Sequence, residues 1–439
     1  NLGRMANPGT VIIRHDEGAG WRYPDVAANL EFGADNQLGP KVDIVFDAVK
    51  PYSYMSLRDT TQEVGNLSTG RNPGWAVLQN YEDKSQDSAV GTGSGHLIIN
   101  QDQNLTYSGY IRNSWTRNTN AGDPLKITKK GTGTLTISTG SKNTGGIDVL
   151  EGTLQIGDGN ARGALLNNNP VYIDADGTLK YYRTDRQNVE GVVRIGHDIS
   201  GDGTLIFASN NWNSAGVGVK GAGDYRYTGT NTLSADANFI IDNARLVVFD
   251  QADLGNNLPT VKVINDGQLY LGAGGTYSNP LEIEGQGWSQ PNGTRWGALF
   301  AYTYTGGGTA TYAGDILLTD NARMSALSHG GLTVTGEISS DANPYGLNFT
   351  GNRLVTLAGE NTYLGNTHVR EQVVSITGGL YRDADLYNAL NSAQRGRIIL
   401  GGSGGQRGTA RLNFTADNQI GEFDANGDAL NPVDVEFQS

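Results

Sequence analysis

The chain has 439 residues, 63 of them glycine, 12 proline and none cysteine, with 37% hydrophobic residues. Its formal charge is −13 (Lys+Arg 32, Asp+Glu 45), so it lacks the basic footprint of a general nucleic-acid binder. The proline scarcity excludes collagen and a Pro-rich disordered tail, and no apolar run reaches the roughly 18 residues of a membrane helix.

In chain order, residues 1–57 follow no steady period and are expected to form an N-terminal cap with the first coils, protecting an open sheet edge. Residues 58–439 read as one continuous, elongated domain interrupted by loops. The expected insertions lie near 51–95 (Tyr52, Tyr54, Trp75, Tyr81), 104–124 (Tyr107, Tyr110, Trp115), 209–218 and 285–308 (Trp288, Trp296, Tyr302, Tyr304). Loops set on one side of a solenoid are commonly its binding surface.

From Lys126 onward a beat is audible: a short alternating strand, a turn of Asp or Asn with Gly, and a second strand that usually begins Gly-Thr-Leu. Ile147-Asp148-Val149 leads through Glu151-Gly152 to Leu154-Gln155-Ile156, and Val171-Tyr172-Ile173 through Asp176-Gly177 to Leu179-Lys180-Tyr181. Ile199 leads through Asp202-Gly203 to Leu205, Ile240 through Asn243-Ala244 to Leu246, and Val261 through Asp266-Gly267 to Leu269. Steps between equivalent leucines are 19, 25, 26, 41 (two coils) and 23 residues. Each strand buries one face only by stacking on its equivalent one circuit away, which suits a three-sided parallel β-helix of roughly 16 to 18 coils and about 80 Å. The pattern predicts an inward column of Leu135, Leu154, Leu179, Leu205, Leu246 and Leu269, with Ile137, Ile156, Tyr181, Phe207, Val248 and Leu271 beside it. Thr136, Gln155, Lys180, Ile206, Val247 and Tyr270 are predicted to point outward, and glycine at the turns to supply positive φ. The best helix candidate, Asp383 to Gln394, reads equally as a short helix or a turn.

One stretch carries a resemblance. Gly131-Thr132-Gly133-Thr134-Leu135, Asn143-Thr144-Gly145-Gly146 and Gly152-Thr153-Leu154-Gln155-Ile156-Gly157 resemble the passenger-associated repeat of bacterial autotransporters. A weaker copy runs from Leu354 to Val369, with Asn366 at the second glycine and no closing Gly-Thr-Leu. The resemblance covers the rhythm from about Lys126 to Phe414. It implies an all-β, right-handed three-sided parallel β-helix with inserted loops, of the self-associating or diffuse-adherence adhesin type. It further implies display at, or release from, a Gram-negative cell surface after export through the periplasm and outer membrane. The export signal and the C-terminal membrane barrel are expected to lie outside this sequence. A chain without cysteine suits that route, because a disulfide-locked loop would obstruct threading through a pore. The partners implied are host matrix glycans or proteins such as glycosaminoglycans or fibronectin, or identical passengers on neighbouring cells, with no cofactor.

Catalytic patterns are weak. Gly93-Ser94-Gly95 and Gly401-Gly402-Ser403-Gly404-Gly405 are glycine-loop contexts, no Gly-Asp-Ser-Gly occurs, and the five histidines (15, 96, 197, 329, 368) are not placed near either. A polysaccharide lyase or glycosidase on the same scaffold remains as an alternative, since carboxylates recur at the turns, although Asp-Gly there already has a conformational cause. No metal site is expected, because the calcium-binding Gly-Gly-x-Gly-x-Asp repeat is absent. Candidate ligand-binding residues instead cluster in a basic, ring-bearing stretch: Arg112, Trp115, Arg117, Lys126, Lys129 and Lys130, with Tyr107 and Tyr110 interleaved. Charge would meet an anionic group and rings a sugar face. An outward ladder of Asp148, Tyr172, Arg194, Lys262 and Glu282 completes the predicted set.

Overall fold

The computed structural model describes residues 8–16, 28–81, 93–115, 122–159, 163–165, 168–183, 193–209, 223–290, 292–303, 308–327, 329–390, 394–401, 410–417, 419–421, 429–431 and 433–438. The chain forms two compact units, the first of residues 1–185 and 195–206, the second of 186–194 and 207–439. Both are nearly all-β, with long parallel sheets consistent with a parallel β-helix or solenoid.

The first unit contains several parallel ladders. One contains Leu105–Tyr107, Thr134–Ile137, Gly152–Ile156 and Gly177–Tyr182. The second contains Ala28–Glu31, Ser53–Ser56, Ala76–Gln79, Tyr110–Arg112 and Ser141–Lys142. The third contains Thr61–Val64, Gly95–Asn100, Leu125–Lys130, Ile147–Val149, Val171–Ile173 and Ile199–Gly201. The second unit has ladders of the same kind, among them Arg245–Val248, Gln268–Leu271 and Leu299–Ala301 in sequence. Its longest strand, Ile316–Ala326, pairs through its first half with Leu281–Gly285 and through its second with Leu347–Gly351.

Within each unit the expected leucines stack in register, and Leu205 is buried as well. Leu105, Leu135, Leu154 and Leu179 are in register in the first unit, and Leu246, Leu269 and Leu299 in the second. Leu135 through Leu299 in both columns are buried, as are Ile137, Ile156, Tyr181, Val248 and Leu271 beside them. Each such side chain stabilises by about 1.5–3 kcal/mol relative to exposure, and does so only because the next circuit covers it.

The repeat motif has a physical basis at the corner after Ser141–Lys142. Asn143 is buried, donates from Nδ2 to Leu125 O at 2.9 Å and accepts from the Ser141 hydroxyl. A Cβ on Gly145 would stand 2.6 Å from Leu125 O, so the coil contact requires glycine, and Gly146 has φ +89°. Elsewhere glycine acts differently from expectation. At the Asp266-Gly267 turn, Asn265 (φ 53°) and Asp266 (φ 61°) take the left-handed backbone. Gly177 instead lets the backbone lie against the Val149 carbonyl oxygen.

Several expected insertions are coil. Residues 51–95 contain Ser53–Ser56, Thr61–Val64, Leu67–Thr69 and Ala76–Gln79, all within ladders. Their alternation is hidden because both faces of Ser53–Ser56 and Ala76–Gln79 are buried. Residues 104–124 likewise supply Leu105–Tyr107 and Tyr110–Arg112, while 116–121 lie outside the described residues. The 209–218 insertion lies outside them except for Ser209. Val247 and Tyr270 do leave the sheet on its outer face, but they are buried there with Phe300 beneath Trp296 and Tyr302 from the 285–308 segment. Residues 384–389 form a short helix, Ala384–Ala389. A second helix, Gln251–Leu254, carries a reciprocal Asp250/Asp253 capping box that the sequence reading missed.

Candidate binding surface

The basic stretch is divided between ladders of the first unit: Arg112 lies in the second, and Lys126, Lys129 and Lys130 in the third. Register places Tyr54, Val77 and Tyr110 in one column and Ser56, Gln79, Arg112 and Lys142 in the next. Arg112 donates from Nε and Nη2 to Gln79 Oε1 at 2.9 and 2.6 Å, and Gln79 donates to Ser56 Oγ at 3.0 Å. The Arg112 guanidinium lies 4.5 Å from the Trp115 ring centroid and 6.0 Å from that of Tyr54. Tyr52 stacks on Tyr54 at 5.8 Å, and Tyr52 and Tyr110 remain 47% and 50% exposed. The result is a guanidinium held between rings with two tyrosine faces open beside it. Arg117 lies outside the described residues.

The lysines divide by role. Lys126 pairs with Asp148 Oδ2 at 2.7 Å, and in the second unit Lys262 pairs with Glu282 Oε2 at 3.1 Å. Such partly exposed cross-strand pairs are worth about 0–1 kcal/mol and spend their charge on each other. Lys130 is half-buried, with no side-chain hydrogen bond or ion pair to another described residue.

Lys129 is not a surface residue. It is aligned with Ile99 and Val149 and is fully buried. Its Nζ donates to the carbonyl oxygens of Lys130, Gly131 and Glu151 at 2.9, 2.6 and 2.9 Å. Burial pushes its ammonium down to about 8, offset in part by the nearby Glu151 and Asp102 carboxylates. An inward lysine reads in sequence like an outward one, because the carbonyls that hold it carry no sequence signature. Lys129→Ala is expected to cost about 2 kcal/mol through orphaned carbonyls, whereas Lys130→Ala stays within about 0.5 kcal/mol. Urea midpoints of the two variants measure the contrast, and equal midpoints refute it.

The residues of the predicted outward ladder do not share one column. Asp148 aligns with Tyr172, and the next position is Ser200, with Arg194 in a different strand, Val193–Ile195. Tyr172 is 38% exposed and donates to Asp174 Oδ1 at 3.2 Å. Lys262 and Glu282 align with each other in the second unit.

Sequence reasoning missed a groove of about 340 Å³ in the second unit, lined by Arg295, Trp296, Arg323, Thr350, Arg370 and Glu371 among others. Its arginines are far apart in sequence. Register sets Arg323 beside Asn348 and then His368, while Ser325 aligns with Thr350 and shares a 2.9 Å hydroxyl contact. Phasing fails here because the ladder slips between Ile283 and Gly285, where Ile316–Ala326 changes partner. A count of leucines alone does not reveal that slip.

Ser94 is exposed, and residues 402–409 lie outside the described residues. His15 contacts Pro51 O, His96 the Thr128 hydroxyl, His197 the Tyr181 hydroxyl and His368 Gly401 O. Burial holds His197 down to about 4, a neutral core imidazole at physiological pH. Among the described residues no group of three His, Asp or Glu could hold a metal ion. In comparisons with known proteins, no family model, no curated protein and no solved structure matches this chain.

Proposed function

We propose that the chain is the passenger of an autotransporter adhesin, a right-handed three-sided parallel β-helix displayed on a Gram-negative cell. Its role in this reading is attachment to an extended host matrix partner, a glycosaminoglycan or a fibrous protein, through outward columns and loops. The observation that supports the reading is the register of the ladders. It repeats outward side chains at about 4.8 Å, so that a long partner meets many equivalent weak contacts. Display of many copies then multiplies those contacts into firm attachment. In a chain of charge −13, attraction for an acidic glycan must come from local patches, and the Arg112 site with its tyrosine faces is one.

A heparin column at low salt tests the glycan half. The expected result is retention that Arg112→Ala combined with Lys130→Ala reduces; no retention, or retention unchanged in the double variant, discards it.

Self-association of identical chains is the second reading. The closed Lys126–Asp148 and Lys262–Glu282 pairs favour it, because they cancel charge locally and leave hydrogen-bonding groups on those faces. Clumping of displaying cells without any host component would select it over host attachment.

A further inference from the structure

The groove beside Trp296 collects cations in a chain that is acidic overall. Arg370 has no side-chain hydrogen bond or ion pair among the described residues, and its Nε is shut from solvent without an acceptor. The Arg323 Nε is in the same state. The remaining Arg323 donors go to neutral oxygens, Arg295 O at 2.9 Å and Gln286 Oε1 at 3.1 Å. Of the carboxylates nearby, Asp266 is already engaged by Arg295 at 2.8 Å, and Glu371 stands on the groove wall.

The electrostatics of Arg323 agree with that geometry. Burial lowers its affinity for the proton, and repulsion from Arg370 and Arg295 lowers it further. Like charges held together in a half-buried place carry a cost that an oxyanion between them offsets. Guanidinium forks suit planar or tetrahedral oxyanions, which they bind by paired charge-assisted hydrogen bonds.

The second half of the groove is a ring. Trp296 lies nearly parallel to Phe300, 13° between planes with centroids 6.3 Å apart. Phe300 packs on Tyr270 at 5.0 Å, and both are buried with Val247. The indole is therefore backed by a fixed apolar layer, which makes its exposed face a preorganised platform. An apolar face with a few convergent polar groups is the composition of a small-molecule site, and the volume lies at the small end of that class.

We infer that this groove binds a saccharide carrying an oxyanion, a carboxylate or a sulfate ester, with the oxyanion on Arg323 and Arg370 and the sugar ring against Trp296. Its part in adhesion rests on the function proposed above; the binding itself does not.

The test uses the purified chain with four probes: a sulfated, uronate-containing disaccharide, its desulfated form, its desulfated and carboxyl-reduced form, and inorganic sulfate. Calorimetry and saturation-transfer NMR are expected to show binding of the first, with the second arm reporting whether carboxylate suffices or sulfate is the preferred oxyanion. Arg370→Gln removes no internal hydrogen bond, so its fold is expected to be intact by circular dichroism while affinity falls on the order of tenfold or more. Trp296→Ala is expected to weaken the disaccharide but not inorganic sulfate. Equal binding of the neutral disaccharide, inorganic sulfate bound as tightly as the sulfated sugar, or affinity unchanged in Arg370→Gln would each overturn the inference. Disaccharide binding lost in Arg370→Gln while displaying cells still attach to matrix locates attachment elsewhere and supports this site as a binding groove. Native cells that fail to attach remove the adhesin reading and leave the disaccharide result standing.

Discussion

Raising the pH from 10 to 11 is expected to unfold the second unit cooperatively. Tyr277, Tyr312, Tyr363 and Tyr381 are fully buried there, and burial is the foremost reason that each phenol is pushed upward from its ordinary value. Their hydroxyls donate into the core: Tyr277 to Ala273 O at 3.3 Å, Tyr312 to Asn279 O at 3.0 Å and Tyr381 to Gly365 O at 3.1 Å. Tyr363 and Thr367 share a hydroxyl contact at 2.5 Å. An unfolded tyrosine ionises near pH 10, whereas these four must remain neutral to stay packed. The folded-state pKa is raised, so the stabilisation is fully present below pH 10 and is lost as pH climbs toward the folded value. Each group then costs about 1.4 kcal/mol by pH 11, and four together roughly 6 kcal/mol, comparable with the whole stability of a typical domain. Far-UV circular dichroism and tyrosinate absorbance followed from pH 8 to 12 provide the check. A first tyrosinate rise is expected with the β signal intact. A second tyrosinate rise is expected to coincide with loss of that signal. Full tyrosinate absorbance with the sheets still present would contradict the expectation.

The features legible in the sequence were those fixed by contact between equivalent positions of successive circuits. Leu135, Leu154 and Leu179 announce their column because an inward site of fixed shape accepts little else, and Asn143 with Gly145 announces a corner that one side chain and one missing Cβ make possible. The reading failed where the outer face was also covered. Val247 and Tyr270 obey the period and still are not surface, because the 285–308 segment folds over them. Ser53–Ser56 and Ala76–Gln79 show no alternation in sequence because hydrogen-bonded polar residues, Ser56 and Gln79, are buried on their outer side. Binding residues were less legible than coils. Lys129 is consumed by three backbone carbonyls, Lys126 by Asp148, and Arg112 is held by Gln79 and the rings of Trp115 and Tyr54. Arg323 and Arg370 are brought together across the ladder of Ile316–Ala326, Leu347–Gly351 and Thr367–Val369, a meeting of distant residues that leucine spacing does not reveal.

Leu154→Ala is expected to cost about 3–5 kcal/mol, against less than about 1 kcal/mol for its neighbour Gln155→Ala. Leu154 is fully buried and lies in register between Leu135 and Leu179, so truncation opens a void that a stacked column cannot close. Relaxation would require one rung to move toward the next, but the parallel backbone hydrogen bonds on either side fix that spacing. Gln155 is in the same strand and points the other way, donating to Gly157 O at 2.9 Å from a half-buried position. Its loss removes that hydrogen bond and a longer one to the Thr136 hydroxyl at 3.5 Å, and opens no void in the leucine column. Urea denaturation of the two variants reads the difference directly. A β-sandwich or loosely packed sheet would spread the Leu154 deficit and bring the two midpoints together. A column of single leucines, one per circuit, concentrates it at one rung, and the first unit is then expected to lose its protected amides around Gly152–Ile156 before those of the rungs further away.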